Sequence, residues 1–176
     1  IFSSVKYDQK NLLDGAKEVL GSAPIIGCTS NGGILVPDGY ITSNNGFAGI
    51  LAIGDPDTAV GVAGSAKMLT ARETGRKVAI DAMNKVGTTF SPSYFFMIAN
   101  PGEEEEYAKG IQDVIGDVPM FGGSSADDDL TGKWKIFTND GIFSEGVAVA
   151  FFYTNKKIMN EYTGKYHETV NSGVIT

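Results

Sequence analysis

The first half of the sequence resembles the second half when the two are aligned at an offset of 95 residues. No other feature of the sequence constrains the fold as strongly. At this offset Gly27 and Ser30 match Gly122 and Ser125 without a gap. Further identical pairs are Gly15 and Gly110, Val19 and Val114, Gly21 and Gly116, Pro24 and Pro119, Leu35 and Leu130, and Ile41 and Ile136. Both copies predict the order strand, helix, Gly-x-x-Pro, strand, Gly-x-x-Ser loop and hairpin turn. We therefore expect two related β-α-β-β lobes, over residues 1–92 and 93–176.

Three segments are predicted to be helices from their capping residues and apolar spacing. Asp8 can cap a helix over residues 9–20, because its carboxylate can accept hydrogen bonds from free backbone N–H groups. A capping box at residues 70–73 begins a second helix, which ends at Gly87, and a third covers residues 103–115. The side chains expected on the buried face of the first helix are Leu12, Ala16, Val19 and Leu20.

Two strands are predicted over residues 59–64 and 94–99, and two more are predicted to begin at Pro24 and Pro119. The run over residues 47–53 is apolar on both faces, which predicts a strand in the centre of a sheet. The dipeptides suited to hairpin turns are Asp38-Gly39 and Asn45-Gly46, and the offset of 95 carries Asn44-Asn45-Gly46 onto Asn139-Asp140-Gly141 in the second copy. These elements predict an α/β (mixed α+β) fold in which mixed sheets are flanked by helices, and a layered sandwich with two facing sheets is one arrangement that satisfies this prediction.

Composition excludes several classes of protein. With 42% hydrophobic and 20% charged residues, a chain of 176 residues can bury a core, which a disordered chain cannot. A net charge of −7 opposes binding to a phosphate backbone, and no apolar run could span a membrane. The only cysteine, Cys28, excludes an internal disulfide framework, and no signal peptide opens the chain. We expect a cytoplasmic protein, and, because the chain opens within a strand without methionine, a piece of a longer one.

Two equivalent loops form the candidate ligand site, because each follows a buried strand and offers close backbone approach and hydroxyl groups. Their residues are Gly27, Cys28, Thr29 and Ser30 in the first loop, and Gly122, Gly123, Ser124 and Ser125 in the second. Asp127 or Asp128 could hold the ammonium group of an amino acid, and Trp134 could form a wall of the pocket. Two alternatives stay open: the loops are tight turns that the sheet requires, and Trp134 is a core aromatic residue.

The two loops and their spacing resemble the FIST domain, through Ile26-Gly27-Cys28-Thr29-Ser30-Asn31-Gly32-Gly33-Ile34 and Pro119-Met120-Phe121-Gly122-Gly123-Ser124-Ser125-Ala126-Asp127-Asp128. The resemblance covers nearly the whole chain and corresponds to the N-terminal part of that sensory module of signalling proteins. It implies an intracellular sensor of small molecules, with amino acids as the suggested ligand class. It also implies a C-terminal partner domain and a downstream signalling effector, and it supplies no catalytic residues.

Three other functions can be considered for particular residues: a catalytic nucleophile, a haem ligand and a metal site. Cys28, or a serine of the loops, could be the nucleophile of a hydrolase, although no base stands near it in sequence. Some FIST proteins are described as haem proteins that respond to nitric oxide, so a haem-based gas sensor is an alternative, with His167 as a possible axial haem ligand. The run Asp127–Asp129 invites a metal ion but lacks the spacing of a calcium loop. We expect no enzymatic activity and no metal site.

Overall fold

The computed structural model describes residues 1–161 and Gly173. Within them the helices are α1 (Gln9–Leu20), α2 (Ala71–Val86) and α3 (Glu104–Ile115). The strands are β1 (Phe2–Ser3), β2 (Ile26–Thr29), β3 (Ile34–Val36), β4 (Gly39–Ile41), β5 (Ala48–Gly49), β6 (Ala59–Ala66), β7 (Tyr94–Ala99), β8 (Met120–Ser124), β9 (Ile136–Thr138), β10 (Gly141–Phe143) and β11 (Gly146–Tyr153). No helix of the described residues has the length and apolar character needed to cross a membrane.

All three predicted helices are confirmed. Asp8 caps α1 by accepting two backbone N–H groups of its first turn. Thr70 and Glu73 form both hydrogen bonds of the capping box that begins α2. Because such caps satisfy donors that have no partner inside the helix, they favour the observed starts of α1 and α2, whereas α3 begins after Glu103 without a side-chain cap.

The predicted buried face of α1 is wrong at its last turn. Val19 is 84% exposed and Leu20 is also exposed, whereas Leu13 is buried. Gln9 explains this orientation, because its side chain donates to the carbonyl oxygen of Ser4 and is buried. Leu13 lies one turn after Gln9 and therefore shares its buried side.

The strands form two mixed sheets and a separate hairpin. Sheet 1 has the order β10-β9-β2-β1-β5, sheet 2 has the order β6-β11-β7-β8, and β3 pairs with β4. The pairs β1–β2 and β7–β8 are parallel, and all other pairs of described strands are antiparallel. Each sheet takes strands from both halves of the chain, since β9 and β10 join sheet 1 and β6 joins sheet 2.

The two sheets face each other between outer layers of helices, which confirms the predicted architecture. The apolar contact between the sheets joins Phe2, Ile26, Cys28 and Ile136 to Phe96, Ile98 and Ala148. The side chains that join α1 to the outer face of sheet 1 include Leu13, Ile25 and Phe137. The outer face of sheet 2 packs on α2 and α3 through a larger cluster that includes Val78, Tyr107, Ile111, Val149 and Phe151.

The two halves share their β-α-β geometry. The bounds of α3 are those of α1 shifted by 95 residues. In each half the helix joins two parallel neighbouring strands, β1 to β2 and β7 to β8. The origin of the chain by duplication and its division near residue 92 stay predictions.

The structure corrects two predictions in the first half. Residues 47–53 form a strand only at Ala48–Gly49, at the edge of sheet 1 rather than at its centre. The strand pairs that the described residues form here are Phe2 with Gly49 and Ser3 with Ala48, and residues 50–53 make no strand pair among them. Asn45-Gly46 does not close a hairpin, whereas Asp38-Gly39 and the segment Asn139-Asp140-Gly141 lie at hairpin turns, as predicted.

Helices α2 and α3 pack closely through glycines and an ion-pair network. A Cβ atom on Gly75 or Gly110 would collide with the backbone of the facing helix. Arg72 binds the Asp113 carboxylate with two hydrogen bonds, and Nε of Arg76 donates to Asp113 Oδ2 at 2.7 Å. The two arginines thus join α2 to α3.

Candidate functional site

The carboxyl ends of the parallel strands β1, β2, β7 and β8 meet at one end of the sandwich. The N–H of Ala126, just after β8, donates to the carbonyl oxygen of Thr29 at 2.9 Å. The hydroxyl of Ser4, just after β1, donates to Oδ2 of Asp128 at 2.8 Å. The structure therefore brings the two predicted loops together, at the kind of sheet edge where α/β proteins commonly bind ligands. We call this region the loop junction, defined by residues 29–30 and 124–128.

The first glycine of each loop is required by close main-chain contacts. A Cβ atom on Gly27 would collide with the carbonyl oxygen of Ile1 and the ring of Phe137. A Cβ atom on Gly122 would collide with the carbonyl oxygen of Met97, and its φ of +144° favours glycine. Both glycines therefore have a structural requirement of their own, and their contact with a ligand stays a prediction.

Cys28 faces the contact between the sheets and not the loop junction. Its side chain is buried in the apolar cluster that includes Ile98, Ile136 and Ala148. Burial raises the pKa of the Cys28 thiol to about 12. A nucleophilic cysteine needs a stabilised thiolate, so this environment opposes the hydrolase alternative at Cys28.

Thr29 and Ser30 link the first loop to neighbouring chain segments. Thr29 is fully buried; its N–H donates to the Lys135 carbonyl oxygen, and its hydroxyl oxygen accepts the Lys135 N–H, both at 2.9 Å. The N–H of Ser30, which is half-buried, donates to the Ser3 carbonyl oxygen at 2.8 Å. The segment before β9 is therefore held directly at the end of β2.

The second loop is exposed at its start and buried at its end. Gly123 and Ser124 are exposed, and the Ser124 hydroxyl donates to a Glu104 carboxylate oxygen at the start of α3. Ser125 is fully buried, and its N–H donates to the Ala99 carbonyl oxygen at 2.9 Å. Ser124 thus offers polar surface, whereas Ser125 extends the pairing of β8 with β7.

Asp127 is a fully buried carboxylate with one unsatisfied oxygen. Its Oδ2 accepts the N–H of Lys133 at 2.6 Å, which closes the loop over residues 127–133. Its Oδ1 has no hydrogen-bond partner among the described residues. A buried polar atom left without a partner costs about 1–3 kcal/mol, so this oxygen is the strongest structural indication of a ligand group at the junction.

The three consecutive aspartates do not converge on one point. Asp127 binds Lys133 N–H, Asp128 accepts from Ser4, and Asp129 accepts from Thr131. Across residues 1–161, no group of three or more His, Cys, Asp or Glu side chains is arranged to hold a metal ion. His167, the candidate haem ligand, lies outside the described residues.

Trp134 is half-buried and lies two residues before the start of β9. It lies between Lys133, which binds Asp127, and Lys135, which binds Thr29. It belongs to none of the four apolar clusters that the described residues form. Because it is the only tryptophan, its fluorescence would report on the loop junction.

Sequence reasoning missed Ser3, Ser4 and Gln9 as part of this site. Both serines are fully buried, and the Ser3 hydroxyl donates to Gln9 Oε1 at 2.9 Å. Their position in the sequence could have revealed them, because Ser3 and Ser4 stand at the carboxyl end of β1 just as Thr29 and Ser30 stand at the carboxyl end of β2. The same rule that located the glycine-serine loops applies to them.

A shallow depression of about 400 Å³ opens beside the loop junction. It is lined by Ala66, Lys67, Ile142, Phe143, Ser144 and Glu145. It lies at the carboxyl end of β7, because the Asn100 N–H donates to the Gly146 carbonyl oxygen and Gly146 pairs with Ala66. The Lys135 ammonium group donates to the Ser144 hydroxyl at 2.7 Å and so connects the junction to this depression.

A second depression, of about 420 Å³, is remote from the glycine-serine loops and runs along α2 and the β9–β10 turn. Its lining residues are Gly64, Lys77, Asp81, Asn84, Lys85 and Asp140. None of the predicted site residues lies there.

The fold and this junction define a two-sheet α/β sandwich domain whose polar loops meet at the carboxyl ends of its parallel strands. The FIST N domain family matches residues 1–176, and the chain belongs to that family. This match confirms the family resemblance seen in the loops. The FIST domain is a sensory domain of signal-transduction proteins. A comparison with curated proteins finds no significant match.

Proposed function

We propose that this sensory domain binds an amino acid or a similar polar metabolite at the loop junction. The observation that carries the proposal is the buried Oδ1 of Asp127, which has no partner among the described residues. An ammonium group would supply a charge-assisted hydrogen bond to this oxygen and remove the cost of leaving it unsatisfied. The ligand is thus expected to carry a positively charged nitrogen.

The carboxylate of an amino acid would need a cation or N–H donors close by. Lys135 suits this role, because its backbone is held at Thr29 and its ammonium group donates to the Ser144 hydroxyl. No carboxylate of the described residues forms an ion pair with Lys135. A ligand carboxylate that displaces Ser144 would gain a full charge partner.

Binding at Asp127 requires the loop over residues 127–133 to move, because the carboxylate is fully buried. The same loop leads through Lys135 into β9 of sheet 1. A ligand that prefers the opened arrangement would shift the population toward it, and β9 would pass the change to the rest of the sheet. We propose that a C-terminal partner domain and a cytoplasmic signalling effector receive this change.

The test is a thermal unfolding screen of the chain against single amino acids, with matched hydroxy acids that lack the ammonium group. A native-state ligand at 100 times its Kd stabilises by about 2.7 kcal/mol, which raises the Tm by roughly 5–10 °C for a chain of this size. We expect the amino acid, and not its hydroxy acid, to raise the Tm. Equal stabilisation by both compounds would contradict the ammonium contact.

The matched variants are Asp127→Asn and Asp129→Asn. Asp127→Asn removes the buried charge and should weaken ligand affinity at least tenfold, measured by titration of Trp134 fluorescence. Asp129 is exposed, accepts from Thr131 and pairs with Lys133 on the same loop, so Asp129→Asn removes a charge from this loop without touching Asp127 and should change affinity by less than about threefold. Unfolding of each variant without ligand separates a loss of binding from a loss of fold. Unaltered affinity in a folded Asp127→Asn variant would refute the proposed site.

A further inference from the structure

Both ends of the loop that begins at Asp127 are held by one residue, Thr29. On one side, the Ala126 N–H donates to the Thr29 carbonyl oxygen at 2.9 Å. On the other side, the Thr29 N–H donates to the Lys135 carbonyl oxygen, and the Thr29 hydroxyl oxygen accepts the Lys135 N–H, both at 2.9 Å. Because Thr29 is fully buried, residues 127–134 leave and rejoin the body of the protein at one fixed point. We call residues 127–134 the lid.

Between these two ends, a single hydrogen bond joins the lid to the body among the residues that the structure describes. The Ser4 hydroxyl donates it to Oδ2 of Asp128 at 2.8 Å. The other hydrogen bonds of the lid are internal and connect Asp127, Asp129, Thr131 and Lys133. A segment with so few bonds to its surroundings opens at a lower free energy than the sheets beneath it.

Ser4 is a rigid partner for this bond. It is fully buried, and its N–H donates to the Phe47 carbonyl oxygen at 2.8 Å. Its own carbonyl oxygen accepts the side-chain amide of Gln9 at 3.0 Å, and Gln9 is buried in the first turn of α1. The bond to Asp128 therefore ties the lid to the fixed connection between β1 and α1.

The closed lid contains two features that cost free energy. Leu130, in its middle, has a φ of +56°, and no other non-glycine residue of the described chain has a positive φ. Residues with a Cβ atom disfavour this left-handed conformation, and the Leu130 side chain is 79% exposed, so its burial does not compensate. Oδ1 of Asp127 is buried and has no partner among the described residues. Opening of the lid would release both costs.

We propose that the lid opens about Thr29 and that the hydrogen bond between Ser4 and Asp128 is the latch that keeps it closed. Opening exposes the Asp127 carboxylate, so the lid rests on the proposed function for its ligand. Because only the open form can bind, the apparent dissociation constant is the intrinsic constant divided by the open fraction. Loss of the latch should therefore strengthen ligand binding, whereas damage to the site itself weakens it.

Hydrogen exchange of the chain without ligand tests the latch. The reporter is the Lys133 amide, because it donates to Oδ2 of Asp127 inside the lid. Loss of a hydrogen bond to a charged group should speed exchange at this amide about tenfold in both Ser4→Ala and Asp128→Ala. The double variant should exchange within about threefold of either single variant, because all three lack the same bond.

The controls separate opening of the lid from general loss of stability. The amides of Ala126 and Lys135 bind Thr29, so they should keep their wild-type exchange rates in both latch variants. Asp129→Ala removes a carboxylate that binds only within the lid, so it should change exchange at Lys133 by less than about threefold. Unchanged exchange at Lys133 in both latch variants would overturn the latch. Equal acceleration at Lys133 and at both amides that bind Thr29 would overturn separate opening of the lid.

Titration with the amino acids of the thermal screen separates the lid from the ligand site. An amino acid that binds the wild-type protein should bind Ser4→Ala and Asp128→Ala about tenfold more tightly. Faster exchange at Lys133 without tighter binding would overturn the role of the lid in binding. If no amino acid binds, the proposed function fails, and exchange at Lys133 still decides whether the latch exists.

Discussion

At the scale of single residues, two glycines at the same position of α1 and α3 should respond to alanine in opposite directions. Gly110→Ala places a Cβ atom against the Arg72 carbonyl oxygen of α2, so we expect a loss of about 1–3 kcal/mol as the helices separate. A Cβ atom on Gly15 meets no atom within 4 Å, and alanine should add up to about 1 kcal/mol there. Urea unfolding of both variants measures the difference. A stabilised Gly110→Ala variant would contradict the close helix contact.

Sequence reasoning predicted that the two loops are related in space better than it predicted the surroundings of their side chains. Spacing alone placed the two loops and Asp127 together, because glycine and hydroxyl residues after buried strands mark strand ends. It could not show that Cys28 faces the intersheet core, or that Asp127 keeps one oxygen without a partner. Those properties depend on the neighbours of each side chain in space, and neither residue type carries that information.

At the scale of elements, the attachment of α2 to α3 should depend on pH through Asp113. The Arg72 and Arg76 guanidinium groups hold the pKa of the Asp113 carboxyl well below its usual range. Between the depressed pKa and the ordinary pKa the unfolded chain binds more protons, so the stability from Asp113 is present above about pH 4 and is lost as the pH falls. Asp113→Asn should therefore destabilise the protein at pH 6 and have a smaller effect near pH 3.

The measurement is urea unfolding of the wild-type protein and the variant between pH 3 and pH 6. Asp14→Asn is a suitable control, because Asp14 pairs only with Lys10 on the exposed surface of α1 and such pairs contribute little. A difference between wild type and Asp113→Asn that stays constant over this range would contradict the ion-pair explanation.

Helices were easier to predict than strands for a physical reason. Asp8 and the Thr70–Glu73 capping box make hydrogen bonds within a few residues, so local sequence contains the signal. The extent of a strand depends instead on its neighbours, and among the described residues the run over 47–53 finds a partner in β1 only at Ala48 and Gly49. Asn139-Asp140 closes a hairpin and Asn45-Gly46 does not, although both suit a turn, because only the former is flanked by strands that pair.

At the scale of the whole molecule, strands of both halves share each sheet, so damage in one half should destabilise the other. Phe137 of β9 is fully buried and packs with Leu13 and Ile25 of the first half. Phe137→Ala should lower the free energy of unfolding by about 3–5 kcal/mol. Because sheet 1 is bound to sheet 2 through a common apolar contact, we expect hydrogen exchange to speed up in α1 and equally in β11.

Phe90→Ala is the matched control, since Phe90 is 79% exposed and its truncation should change stability by less than about 0.5 kcal/mol. If exchange in β11 stayed at its wild-type rate while α1 lost protection, the sheets would be separate folding units. Uniform loss of protection would instead mean that the loop junction lies within one cooperative structure. In that case the ligand proposed to bind at Asp127 would stabilise both sheets, and a structural change at β9 would extend to β5 as well as to the loop junction.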